Sequence, residues 1–179
     1  MTNPDITQEK VDQLLEDAGF LQDEAEALKY VIDTIPYEKD VPEKRSVKDN
    51  LMLLDYIQVY YYRKIVEELL KNKNIVRATG YEEFCNSFDP DTDKDIFKIL
   101  EKISAHRAAL INTLKNLSIF DWEKPVLIEG RGKITLFEYI KGMISNDRKV
   151  LKEIADLVMV FQNDRQVQRE LDRKESQSD

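Results

Sequence analysis

The stretch Ser46–Asn72 reads SVKDNLMLLDYIQVYYYRKIVEELLKN. Val47, Leu51, Leu54, Ile57, Tyr61, Ile65 and Leu69 recur at three- and four-residue steps, the spacing of one helical face. Ser46 is a good helix start, and Asp49 complements the positive end of the helix dipole. At 1.5 Å per residue, about 26 residues span roughly 39 Å. A helix of that length buries its apolar face against equally long neighbours, which points to a bundle.

Three more such patterns flank it. Upstream, from about Thr7 to Ile35, Leu14, Leu15, Ala18, Leu21, Ala25, Leu28, Val31, Ile32 and Ile35 form one stripe. Gly19 is a candidate kink, and Pro36 ends the helix before a loop from Tyr37 to Arg45. Downstream, a third helix is expected from near Asp91 or Thr92, carrying Ile96, Ile99, Leu100, Ile103, Ala105, Leu110, Leu114 and Leu117. The fourth starts at Thr135-Leu136-Phe137-Glu138, a capping-box form, and runs to about Phe161. Between helices two and three, Tyr81–Cys85 reads as a short helix. Before helix four, Val126–Lys133 with Gly130 and Gly132 reads as a small β-hairpin. The expected fold is all-α: one four-helix bundle domain over 1–161 with long connections. A polar C-terminal extension, 162–179, follows as a solvated helical arm whose last residues, Glu175–Asp179, are expected to be disordered.

Composition narrows the function. With 35 Asp+Glu against 27 Lys+Arg the net charge is -8, opposite to what phosphate backbones or anionic lipids require. No nucleic acid or membrane partner is expected. No apolar run approaches the roughly 18 residues of a span, and Met1–Asp5 has no leader pattern, so the cytoplasm is the expected compartment. One Cys excludes an intramolecular disulfide, and one His excludes any two-His metal site within one chain.

Three segments resemble the DinB-like superfamily, also called YfiT-like putative metalloenzymes. They are Arg45–Leu51; Ala105–Leu110 with Leu114, Leu117 and Asp121-Trp122; and Lys133–Ile140 followed by Ile144–Arg148. Their order and spacing carry the resemblance across roughly Ala25 to Phe161. It implies the four-helix fold, and in many members pairing through helix faces. It also implies a divalent metal held by one His on helix two and a His-x-x-x-His pair on the last helix, serving thiol-dependent transferases and isomerases. Counted from Ser46, the helix-two position is Leu53; the pair falls on Asn146 and Val150. Aliphatic carbon cannot ligate, and Asn is a poor lone ligand for zinc or nickel. No metal and no cofactor are expected.

The candidate ligand pocket is therefore the vacated metal position and its neighbours: Leu53, Asn146, Val150, Asp55, Tyr56 and Tyr60. Asp55 lies two residues past Leu53, about 200° round the helix, so the two are expected to face differently. Asp55, Asn146 and Asp147 are weighed as an oxygen site against a solvated face, and the solvated face is expected. Tyr56 and Tyr60 should stack, and at least one of Tyr60, Tyr61 and Tyr62 must look outward. His106 is expected at the rim rather than as an acid or base. Cys85 sits among Glu82, Glu83 and Asp89, which should raise its pKa and keep it unreactive. Gly130-Arg131-Gly132 is expected to be a turn and not a phosphate loop.

Three functions follow, in order: a metal-free association module, with a homodimer among its candidate forms, and no catalysis; a small-molecule binder in the vacated cavity; and a thiol-transferase-like enzyme with a displaced oxygen-ligand metal site. Catalytic residues are not assigned.

Overall fold

The computed structural model describes residues 5–71, 74–91 and 93–177. Asn72 and Thr92, named above as helix limits, and Ser178 and Asp179 of the tail lie outside the described residues. The described elements are α1 (Gln8–Leu28), a 3₁₀ turn (Ile32–Thr34), α2 (Val47–Ile57), a π turn (Gln58–Arg63) and α3 (Lys64–Leu70). They continue with β1 (Val76–Ala78), α4 (Tyr81–Asn86), α5 (Ile96–Lys115), α6 (Ile119–Trp122), β2 (Pro125–Ile128), β3 (Gly132–Thr135) and α7 (Leu136–Ser176).

Each long helix begins at a side-chain cap that satisfies an orphan backbone N–H. Thr7 Oγ1 accepts from Lys10 N at 3.3 Å, Ser46 Oγ from Asp49 N at 3.0 Å, and Asp95 Oδ1 from Lys98 N at 3.0 Å. Thr135 Oγ1 accepts from Glu138 N at 3.1 Å. Both halves of a capping box occur instead at Ser118 and Asp121, which start α6.

α1 packs on α5 and α7, and so does α2. The first two bundle helices are therefore diagonal to each other, and the connection between them crosses the end of the bundle. That connection is held by Lys48 N donating to Tyr37 O at 2.9 Å and by a bridge between Val41 and Lys44. Leu51, Leu54, Ile57, Leu100, Ile103, Leu110, Ile140 and Met143 fill the centre. The fold matches the all-α four-helix bundle with a small hairpin that the sequence implied.

Several boundaries differ. α1 runs through Gly19 unbroken and stops at Leu28, one turn before the 3₁₀ segment, rather than reaching Ile35. The second long helix is continuous to Leu70 but widens into a π turn at Gln58–Arg63. α5 begins at Ile96 because Asp95, not Asp91, supplies the cap. α7 continues past Phe161 to Ser176, its last turns exposed. β1 was not expected; it pairs parallel with β2, Val76 opposite Val126, while β2 and β3 form the hairpin, Val126 opposite Ile134. Gly130 (φ 76) and Gly132 (φ 97) make the hairpin turn, using the left-handed region open to glycine. No described helix is long and apolar enough to cross a membrane.

Candidate functional site

Four tyrosines meet where the π turn, α4, the hairpin and α7 converge. Tyr61 and Tyr62 come from the π turn, Tyr81 from the start of α4 and Tyr139 from the first turn of α7. Their rings stand 5.0 Å (Tyr61–Tyr62, edge-on), 5.3 Å (Tyr62–Tyr139) and 5.7 Å (Tyr61–Tyr81) apart. A π turn displaces carbonyls from the regular helical ladder, and here the Tyr139 hydroxyl donates to the Tyr61 carbonyl at 3.1 Å. The Tyr61 hydroxyl donates to Thr79 O at 2.8 Å, tying the π turn to the end of β1. Gly80 then passes so close to the hairpin that a Cβ there would lie 3.3 Å from Glu129 O. These contacts bound a cleft of about 580 Å³, with Arg131 of the hairpin on one side and Tyr139, Gly142, Asn146 and Lys149 of α7 along its floor.

Burial pushes the Tyr61 phenol up to about 12; the nearby Cys85 adds to this and the positive charge of Arg131 opposes it. Burial also raises Tyr62, Tyr81 and Tyr139 above the usual phenol range. The cleft therefore offers neutral rings and hydroxyls. A phenol held protonated by the fold stabilises it below the unfolded value of 10, and that contribution is lost as pH rises through the folded pKa. Alkaline titration followed by phenolate absorbance and circular dichroism should show these four of the eight tyrosines ionising only as helicity collapses, between pH 10 and about 12. Four early, fold-preserving ionisations at these positions would show the cluster to be open to water.

Beside this cleft lies a smaller one of about 260 Å³, sharing Tyr81, Glu82, Asn146 and Lys149 with it. Leu53, Asn146 and Val150 line it together. Asn146 Nδ2 donates to the Tyr62 hydroxyl at 2.9 Å. Cys85 also lines it. Burial raises its thiol, and Glu82 adds to this, while the Tyr81 hydroxyl and the charge of Arg45 pull it back. Asp89, expected to contribute, lines a different groove.

Asp55, Tyr56 and Tyr60 do not join Leu53, Asn146 and Val150. They line a groove on the α5 side of α2, with His106. Tyr56 stacks on Phe84 at 5.2 Å and lies 4.8 Å from Tyr60, which is 57% exposed. His106 lies half-buried at this groove, its Nδ1 2.6 Å from Asp55 Oδ1, a pairing the sequence did not show.

Asp147 is not on a solvated face either. It is 2% exposed, and its Oδ2 accepts from Arg107 Nη2 at 2.7 Å. Arg107 also donates to Gln58 Oε1 (3.0 Å) and to the Ala18 carbonyl (3.1 Å), and Gln58 Nε2 donates to Ile103 O (3.3 Å). This buried network joins α1, the π turn, α5 and α7. Burial raises the Asp147 carboxyl above its usual range, against the pull of Arg107. A signal for it existed in the sequence. Arg107 falls in the stripe Leu100, Ile103, Leu110, Leu114, and Asp147 in the stripe Ile140, Met143, Val150, Ile154. Opposite charges on two buried stripes have to meet.

No protein-family model and no curated protein matches this sequence. Among solved structures it is similar to YfiT from Bacillus subtilis, described as a probable metal-dependent hydrolase with an unusual four-helix bundle topology. The TM-score is 0.71 at 14% identity, covering 88% of this chain and 90% of that one. The likeness is one of fold.

Proposed function

We propose that this chain is a binding protein for a small organic molecule, held in the tyrosine-floored cleft and not on a transition ion. The cleft of about 580 Å³ carries this reading. It lies within the size range of small-molecule sites and combines tyrosine rings with charged side chains at its edges, among them Arg131 and Lys149. It adjoins Leu53, Asn146 and Val150, where the resemblance would place histidines. Those residues do not fit a transition ion: two present only hydrocarbon, and Asn146 offers a single neutral amide oxygen, a poor lone ligand for zinc or nickel. The single His lies in the other groove, paired with Asp55. Among the described residues no three His, Cys, Asp or Glu side chains converge. The probable metal-dependent hydrolysis attributed to YfiT is therefore not proposed for this chain.

This reading is preferred to a pure association module, placed first on the sequence, because a cleft lined by tyrosines lies beside the positions where the resemblance would place histidines. Leu53 and Val150 wall the smaller cleft and leave the larger one unfilled.

The test uses tag-free protein, since a His tag would supply imidazoles. Metal analysis is expected to find no stoichiometric zinc, nickel or iron. Titration with phenylacetamide, a neutral aromatic probe, should shift backbone amide resonances of Gly80, Gly130 and Gly142 together. Stoichiometric metal, or no shift at these glycines with this or a charged aromatic probe, would overturn the proposal.

A further inference from the structure

Tyr139, Gly142, Asn146 and Lys149 form one stripe of α7 along the cleft floor. Gly142 stands out in it. Glycine in a helix interior is the poorest choice after proline. Packing does not demand it: a Cβ there would meet only the Arg131 Nη1 atom, at 3.8 Å, an ordinary contact with the end of a flexible side chain. What the missing side chain does is leave the α7 backbone bare beside the Arg131 guanidinium.

Arg131 has no ion-pair partner among the described residues, and neither has Lys149. That holds in a chain with eight more acidic than basic residues, and with Glu82, Glu83 and Glu129 on the same cleft. Glu82 and Glu83 lie in the first turn of α4, at the positive end of its dipole. The Arg131 charge reaches the interior, since it pulls the Tyr61 phenol down against burial. Arginine presents N–H donors in a planar fork that matches a carboxylate, and Lys149 adds a second cation.

Resting on the binding reading above, the geometry points to a ligand of one class: an aromatic or similarly apolar carboxylate. Its carboxylate pairs with the Arg131 guanidinium beside the bare backbone of Gly142, near Lys149, and its body lies on Tyr61, Tyr81 and Tyr139.

Three probes of one shape separate the outcomes: phenylacetate, phenylacetamide and phenethylamine. Wild-type protein is expected to bind the acid about tenfold more tightly than the amide, and the amine most weakly. Arg131→Gln, at an exposed unpaired position, should remove the preference for the acid over the amide and leave the thermal midpoint unchanged. Gly142→Leu should abolish binding of acid and amide alike without lowering the midpoint, because leucine favours the helix. Equal binding of acid and amide, or tighter binding of the amine, would sink the carboxylate assignment while leaving the cleft as a binding site. Failure of all three probes would sink both.

Discussion

Arg107→Met is expected to destabilise the protein by about 3–5 kcal/mol, because it leaves the Asp147 carboxylate buried without its counter-charge. For a chain of this length that lowers the thermal midpoint by roughly 6–20 °C. The double variant Arg107→Met/Asp147→Leu should recover most of the loss, since a buried ion pair replaced by matched apolar groups is often neutral. Thermal or urea unfolding of the two singles and the double gives the coupling directly. The deficit should also depend on pH in a definite sense. Burial raises the folded Asp147 carboxyl above the unfolded value of 3.8, so the folded state favours the protonated form. Its penalty is absent below that value and grows as pH rises through the folded pKa. Without Arg107 the carboxyl is pushed further up, and Arg107→Met should be closest to wild type in acid and worst at neutral pH. A loss below about 1 kcal/mol at neutral pH, or a double variant as unstable as the sum of the singles, would show that the pair does not govern the bundle centre.

Trp122→Ala should cost a similar amount, about 3–5 kcal/mol. Trp122 is wholly buried in α6, edge-on to Phe137 at 6.2 Å, where the hairpin joins the bundle. Trp122→Phe should cost far less. It keeps an aromatic ring, and it removes an indole N–H that is buried without a partner, a group whose desolvation alone costs about 1–3 kcal/mol. Chemical unfolding followed by far-ultraviolet circular dichroism makes the comparison, because Trp122 is the chain's one tryptophan and the variants lose its fluorescence. Equal losses in both variants would mean that the nitrogen, not the ring volume, is what matters.

The helices were legible because each is written locally: a capping side chain, then an apolar stripe. Ser46, Thr135 and the Leu and Ile positions that follow them needed no distant partner to be read. The hairpin was legible from Gly130 and Gly132 for the same reason. β1 was not, since three residues become a strand only by pairing with Val126–Ile128, far along the chain. The candidate site divides in the same way. Leu53, Asn146 and Val150 came together because the bundle sets which turns of α2 and α7 face each other. Asp55 separated from Leu53 by helical angle alone, and it took Tyr56 and Tyr60 with it into the other groove. The pairing of His106 with Asp55 and of Arg107 with Asp147 depends on which helices are neighbours. With α1 and α2 diagonal, that order does not follow from chain order.

The segment Gln58–Arg63 encodes something other than the identity of its side chains. A π turn holds one residue more than the α period, so the rod from Val47 to Leu70 has two azimuths, one before the widening and one after. The first half is indexed to the bundle axis and the second to the hairpin. Shortening the segment by a single residue would leave the rod unbroken and swing its far half by about 100°. Tyr61 and Tyr62 would then face away from Tyr139, and a helix of unchanged content would no longer have a cleft beside it.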